Sequence, residues 1–282
     1  MDIIRDPLAL QRTCLNWRSG GLVVGLVPTM GYFHAGHLSL MDYARSRADR
    51  LVVSLFVNPT QFGPNEDLAR YPRDPERDAA LAREHGVDLL FTPDPGAMYA
   101  PDHATWIEVP SLARGLCAAT RPIHFRGVAT VVGKLFLLTQ PSFAAFGEKD
   151  FQQLALIRRM VRDLNFPLEV VGRPIVREDD GLALSSRNVY LTPEERRAAP
   201  AIRKGLLAAS EWAGGGLRSV ADLTARLRAF YAEQMPMSRL DYAEVVDPDS
   251  MEPVTEIRGR ALLAVALHMS KARLIDNILL EV

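Results

Sequence analysis

An open, doubly wound α/β sheet followed by a smaller α+β domain is the fold this sequence predicts, and three observations carry that expectation. Short β-branched and aliphatic runs recur along the first 175 residues. They are continuously apolar rather than alternating, as parallel strands covered on both faces are. Helix-like stretches separate them, the alternation typical of a parallel sheet. Past Gly172 the texture becomes polar and turn-rich, and a second unit begins.

In order, strands are expected at 22–27 (LVVGLV), 51–57 (LVVSLFV), 87–91 (VDLLF), 142–146 (SFAAF) and 168–172 (LEVVG), with helices over 37–48, 75–85, 128–139 and 150–164. Sheets of this class bind ligands outside the carboxyl ends of their strands, so the residues just after each run carry the most information. In the second unit, Thr192-Pro193-Glu194-Glu195 offers an N-cap threonine, a proline at the first helical position and a glutamate at the third. Helices over 194–211 and 219–234 and strands at 240–246, 261–267 and 273–282 complete it. The expected division is a Rossmann-like domain over 1–175 and a smaller α+β domain over 176–282.

Composition narrows the function classes. Of 282 residues 48% are hydrophobic and 24% charged, a globular balance with enough apolar content for one large core or two modest ones. Lys and Arg number 33 against 34 Asp and Glu, a net charge of -1, so no global positive field is present to hold nucleic acid, and any anion site must be local. Cys14 and Cys117 lie far apart without CxxC spacing, which argues against a disulfide framework and for a reducing compartment. The start, MDIIRDPLALQ, has no basic segment ahead of an apolar run, so no signal peptide is expected and the expected location is cytoplasmic. Ser19 to Met41 carries no Asp, Glu, Lys or Arg. Its glycines, Pro28, His34 and His37 nevertheless suit a buried strand, a tight turn and a helix start, and no membrane role is expected.

The first informative site is Pro28-Thr29-Met30-Gly31-Tyr32-Phe33-His34-Ala35-Gly36-His37, where a strand ends and a helix opens. Free backbone N–H groups and the positive end of the helix dipole are expected to converge there, an anion site by geometry. Gly36 lets a phosphate approach the backbone. His34 and His37 stand about one helical turn apart, so both imidazoles can face one phosphate chain and donate to charge developing on it. That suits attack at the α-phosphorus of a nucleoside triphosphate. A lone histidine is most often a core or cap residue; two bracketing a glycine at such a junction point to chemistry. The chain has no HExxH and no nearby third ligand for zinc, and no GxxxxGK[ST], which excludes a P-loop kinase. A second strand-to-helix corner runs from Gly147 to Asp150. Lys149 there can neutralise phosphate oxygens, Asp150 can hold a metal or a ribose hydroxyl, and Gln153 shares their helical face.

Several segments now make a resemblance specific. PTMGYFHAGHLSL from position 28, FVNPTQFGPNEDLARYPRD at 56–74, FRGVATVVGKLF at 125–136, FGEKDFQQL at 146–154 and DGLALSSRN at 180–188 resemble, in order, the pantoate-beta-alanine ligase (pantothenate synthetase) family. RLIDN at 273–277 resembles the end of that family's C-terminal domain. An HxGH element alone marks only the wider nucleotidylyltransferase superfamily; NPTQF with GEKDFQQ and SSRN is much narrower. The resemblance implies an ATP-dependent ligase joining pantoate to beta-alanine through a pantoyl adenylate, releasing AMP and pyrophosphate. It also implies Mg2+ with the ATP, a homodimer, and a C-terminal domain that closes over the active site.

Residue by residue, the resemblance makes Met30, Gly31, Tyr32, Phe33, His34, Ala35, Gly36 and His37 the ATP-binding loop, with His37 the proton donor. Gln61 matches a side chain shared by pantoate and beta-alanine, and Gln153 a pantoate ligand. Gly147, Glu148, Lys149 and Asp150 contact ATP, with Asp150 toward the metal. Val176 touches the adenine ring through its backbone, Leu184 contacts ATP, and Ser185, Ser186 and Arg187 belong to a mobile triphosphate clamp. His34, His37, Lys149 and Arg187 are then expected to stabilise the adenylation transition state.

The sequence departs from the family pattern at Tyr32 and Phe33, where smaller or aliphatic residues are common, at Leu137 where asparagine is common, and at Ser142 where aspartate is common. His268-Met269-Ser270-Lys271-Ala272 resembles the KMSKS signature of class I aminoacyl-tRNA synthetases, but it falls between two expected strands near the chain end, and no tRNA-binding module is evident. Two alternatives stay open: a nucleotidylyltransferase that stops after AMP transfer to a phosphate ester, and a non-catalytic nucleotide sensor.

Overall fold

The computed structural model describes residues 1–64 and 66–282, so Asn65 of the NPTQF-containing motif lies outside the described residues. By its internal contacts the chain divides into two compact units. The first comprises Met1–Val109, Arg121–Glu148 and Leu156–Pro174; the second comprises Pro110–Thr120, Lys149–Ala155 and Ile175–Val282.

The first unit is built on strands β1 (Asp2–Ile4), β2 (Val24–Thr29), β3 (Arg50–Leu55), β4 (Leu89–Phe91), β5 (Phe143–Gly147) and β6 (Glu169–Arg173). They form one sheet in the order β1-β4-β3-β2-β5-β6, and every neighbouring pair is parallel. Between Asp2 and Arg173 the helices are α1 (Pro7–Ser19), α2 (Ala35–Arg45), α3 (Pro75–Glu84), α4 (Pro95–Met98), α5 (Leu116–Thr120), α6 (His124–Thr139) and α7 (Phe151–Asp163). The continuous apolar runs are buried as parallel strands require: Val24, Leu26, Val27, Leu51, Val52 and Val53 are inaccessible to solvent. The strand order steps outward from β2 through β3 and β4, then returns to β5 on the other side. The switch point therefore lies between β2 and β5, and Thr29 and Gly147 end the two strands that flank it.

Strand β1 and helices α1, α4 and α5 lie outside the sequence expectation. Strand β1 has only three residues and no readable alternation; its pairing Asp2↔Leu89 to Ile4↔Phe91 makes it a strand. Helix α1 had a local signal in Asp6-Pro7, since Asp6 Oδ1 accepts from Ala9 N at 2.7 Å and Pro7 occupies the first turn. Helix α6 also starts at His124, ahead of the expected 128.

The second unit carries α8 (Pro193–Ala198), α9 (Ala201–Gly214) and α10 (Val220–Gln234), and an antiparallel sheet of β7 (Arg239–Val246), β8 (Arg260–His268) and β9 (Arg273–Glu281), in that order. Its core joins Ile202, Leu206, Leu223, Leu227, Tyr231, Val245, Leu263 and Leu280. The helix expected over 194–211 is two helices, α8 and α9, because Pro200 has no N–H to continue the first. The KMSKS-like stretch is the β8–β9 turn, closed by Met269 N donating to Ala272 O at 2.8 Å.

The Thr192 capping box forms as expected: Thr192 Oγ1 accepts from Glu195 N at 3.2 Å and Glu195 Oε2 from Thr192 N at 2.9 Å. Glu195 Oε1 also accepts from Ser270 N at 2.6 Å. Burial works to raise this carboxyl, but the N–H bonds from Ser270 and Thr192 outweigh it and leave it below the ordinary value of 4.5. A depressed acid adds stability that is present above 4.5 and lost as pH falls through the depressed value. Glu195→Gln, which sets an amide donor against one of these N–H groups, is expected to cost about 1–3 kcal/mol at pH 7. Thermal melts across pH check it: the gap to the parent should narrow in acid. Among the described residues, no helix is long and apolar enough to cross a membrane.

Candidate active site

In the first unit the loop after β2 turns sharply at Gly31 (φ 85°) and Tyr32 (φ 52°). Asp78, in the first turn of α3 and 1% exposed, holds this turn. Its Oδ2 accepts from Tyr32 N at 2.6 Å and its Oδ1 from Phe33 N at 2.7 Å. A Cβ at Gly31 would stand 3.0 Å from Asp78 Oδ2, so the glycine serves both the positive φ and the close approach. Burial pushes the Asp78 carboxyl above its ordinary value, against the two backbone bonds and Arg77. Phe33 is 1% exposed, packs into the core with Leu40, Met41 and Phe143, and its carbonyl accepts from Arg77 Nη2 at 3.0 Å. The aromatic residue at 33 is thus core material. Asp78→Asn, which can accept from only one of the two N–H groups, is expected to lower unfolding free energy by about 1–3 kcal/mol, read by urea denaturation.

The expectation of free N–H donors along this loop needs correction. Gly31 N donates to Thr29 Oγ1 at 3.2 Å, Gly36 N to His34 Nδ1 at 3.1 Å, His34 N to His37 Nδ1 at 3.4 Å, and His37 N to His34 O at 2.8 Å. Backbone donors in a half-buried loop find partners within the fold. What the junction offers instead is imidazole. Each ring accepts a backbone N–H at Nδ1, so the neutral ring carries its proton at Nε2. The ring centroids are 4.1 Å apart with planes tilted by 33°. His34 is the N-cap of α2 and His37 its third residue, a capping box built from two histidines. A structural cap and a matched pair of Nε2–H donors are therefore the same feature.

Gln61 ends the 3-10 turn Pro59–Gln61 after β3 and is 7% exposed. Asn58, 1% exposed, orients it. Asn58 Nδ2 donates to Gln61 Oε1 and to Gly127 O, both at 3.1 Å, while Asn58 Oδ1 accepts from Thr60 Oγ1 at 2.9 Å and Tyr99 OH at 3.0 Å. With its oxygen taken by Asn58, the Gln61 amide turns Nε2 toward the loop after β2, where it meets Met30 Sδ at 3.1 Å. The Gln61 carbonyl accepts from His124 Nδ1 at 3.0 Å and Arg121 Nη2 at 3.3 Å. Arg121 also grips both oxygens of Glu66 and, against the effect of burial, holds that carboxyl below its ordinary range. Gly127 lets α6 reach the turn: a Cβ there would meet Thr60 O at 2.5 Å and Gln61 Cα at 2.7 Å. Sequence reasoning missed Asp78, Asn58 as a support, and Gly127. The Asn58-Pro59 turn signal was visible; nothing local marked the other two.

In the second unit, Lys149 Nζ lies 3.2 Å from Asp150 Oδ2, and Gln153 is half-buried on the first turn of α7. Val176 and Leu184 are brought together, Leu184 N donating to Val176 O at 3.0 Å. Ser185 caps the 3-10 turn Ser186–Tyr190, its Oγ accepting from Arg187 N at 3.3 Å, and Ser186 is buried. Gly147 ends β5 and Glu148 follows it, both in the first unit. Among the described residues no group of three or more His, Cys, Asp or Glu could hold a metal ion.

A family model for pantoate-beta-alanine ligase matches residues 2–279. A pantothenate synthetase from Nitratidesulfovibrio vulgaris (strain Miyazaki F) is 60% identical over 280 residues, covering 99% of each chain. The crystal structure of pantothenate synthetase from Thermus thermophilus matches with a TM-score of 0.90 at 50% identity, over 99% of both chains. That of pantoate-beta-alanine ligase from Francisella tularensis, complexed with beta-gamma ATP and beta-alanine, matches with a TM-score of 0.80 at 32% identity, over 99% of this chain and 97% of that one. With a strand switch point ending in an HxGH capping box, and likeness along its whole length, the chain belongs to the pantoate-beta-alanine ligase family.

Proposed function

We propose that this chain condenses pantoate with beta-alanine in two steps at the expense of ATP. The pantoate carboxylate attacks the α-phosphorus in line, the α–β anhydride bond breaks, and pyrophosphate leaves. The amine of beta-alanine then attacks the acyl carbon of pantoyl adenylate, AMP departs with its oxygen, and the nitrogen loses a proton as the amide forms. Both steps depend on holding reactants in line and on donors aimed at developing charge, not on a covalent enzyme intermediate.

His34 and His37 offer their Nε2–H groups to the reacting phosphates, with His37 as proton donor. Lys149 and Arg187 neutralise triphosphate charge, helped by the Ser185 and Ser186 hydroxyls. Gln61 and Gln153 place pantoate, and the Met30 loop, Gly147, Glu148, Val176 and Leu184 line ATP. Mg2+ suits a site with one carboxylate, Asp150, because that ion keeps several waters and is held largely by substrate phosphates, whose charge it neutralises. A cytoplasmic homodimer completes the reading, with residues 1–175 as the ATP- and pantoate-binding domain and 176–282 as the closing domain.

The observation that carries this reading is the pair of adjacent imidazoles whose Nδ1 atoms are both engaged by backbone N–H groups. The uncharged, oriented Gln61 amide adds to it: a phosphorylated acceptor would call for basic groups open to it at that place, and the neighbouring Arg121 is taken by Glu66. The beta-alanine held by the Francisella tularensis relative supports the choice of amine. The test measures pyrophosphate and AMP release with magnesium-ATP and pantoate, with and without beta-alanine. AMP turnover only with the amine, and about one equivalent of bound acyl adenylate without it, is the expected result. Continuous turnover without amine, or none with it, overturns it. Light scattering tests the homodimer: a monomer mass would refute it.

A further inference from the structure

The RLIDN segment ends in two side chains that the reaction does not use, Asp276 and Asn277, 3% and 7% exposed on β9. Asp276 takes a bidentate ion pair, with Arg177 Nη1 donating to Oδ2 at 2.7 Å and Nη2 to Oδ1 at 2.9 Å. Arg177 belongs to a hairpin: it bridges Ala183, Glu178 N donates to Leu182 O at 2.8 Å, and Leu184 N donates to Val176 O. Arg177 Nη1 also donates to Gly181 O at the tip, 3.1 Å away. This hairpin leads directly into Ser185, Ser186 and Arg187. On the other side of the strand, Asn277 Nδ2 donates to the backbone carbonyl of Lys149 at 3.0 Å. Lys149, Ser185 and Asp276 line one cavity, together with Leu182, Ala183 and Leu274.

Neighbouring residues of a strand point to opposite faces, so a dipeptide can hold two separate elements at once. A buried bidentate guanidinium–carboxylate pair contributes geometry more dependably than stability. We propose that Asp276 and Asn277 are positioning residues for adenylation: Asn277 sets Lys149 through its carbonyl, and Asp276, through Arg177, sets the hairpin that carries Ser185 to Arg187. One dipeptide thereby fixes where two sets of triphosphate contacts stand. The inference rests on the proposed roles of Lys149 and of Ser185 to Arg187.

A double-mutant cycle tests it, using the full chain and single-turnover pyrophosphate release with magnesium-ATP and pantoate. Asn277→Ala alone is expected to slow the step roughly tenfold to a hundredfold, the scale of a small misplacement of a reacting partner, with half-saturation by pantoate unchanged. In a Lys149→Ala background the same change should cost nothing further. Losses that multiply would overturn the proposal, since a role in folding alone gives independent effects. If Lys149→Ala itself leaves the rate intact, the reading of Lys149 fails and takes the positioning role with it, an outcome distinct from multiplying losses. Should Asn277→Ala not fold, the isosteric Asp276→Asn paired with Arg187→Ala carries the same logic: non-additive loss supports the proposal, and multiplying loss overturns it.

Discussion

Replacing His37 with alanine is expected to slow adenylate formation by about two to three orders of magnitude, the loss that follows removal of one preorganised donor to developing charge. The His37 ring is preorganised twice. Its Nδ1 accepts from His34 N, which sets the tautomer, and its ring packs beside that of His34, centroids 4.1 Å apart, which limits its rotation. Single-turnover quench measurements of pyrophosphate check the rate, and calorimetry checks that ATP affinity falls far less. A near-parental rate would remove His37 from the chemistry. His34→Asn makes a sharp companion, because asparagine caps a helix well. It should retain stability and still lose adenylation, whereas His34→Ala should lose about 1 kcal/mol of capping as well.

Gly127→Ala is expected to reduce kcat/KM for pantoate by about a hundredfold, the cost of displacing a reacting group by about an ångström. The new Cβ would sit 2.5 Å from Thr60 O, 2.6 Å from Thr60 C and 2.7 Å from Gln61 Cα, all backbone atoms that no rotamer change can move aside. Either α6 withdraws or the Pro59–Gln61 turn shifts. Both separate Asn58 Nδ2 from Gly127 O, the bond that sets Asn58 and through it the Gln61 amide. Overpacking should also cost about 1–3 kcal/mol of stability. Initial rates against pantoate and against ATP check it: the pantoate dependence should move and the ATP dependence should hardly change. An unchanged pantoate KM would refute the role given to this contact.

Much of the fold was legible because its signals are local. Continuous apolar runs at LVVGLV and LVVSLFV encode parallel strands by composition alone, and Thr192 to Glu195 encodes a helix start within four residues. Pro200 was equally local, yet the helical periodicity around it led to one helix where there are two. Strand β1 was not legible because three residues hold no period; its partner Leu89 decides it.

The site divides along the same line. The sequence by itself determined that His34, His37 and Gly36 stand at a strand-to-helix junction, that Gln61 follows the next strand, and which family the motifs resemble. Tertiary structure alone decided that the N–H groups of Tyr32 and Phe33 are taken by Asp78, that Gln61 is turned by an asparagine tied to a carbonyl 69 positions away, and that Lys149 is held by a side chain 128 positions further along. Propensity, capping and turn chemistry act over a few residues, and one sequence displays them. Which distant acceptor a buried donor finds depends on the order in which strands pair, and no single stretch of sequence carries that order.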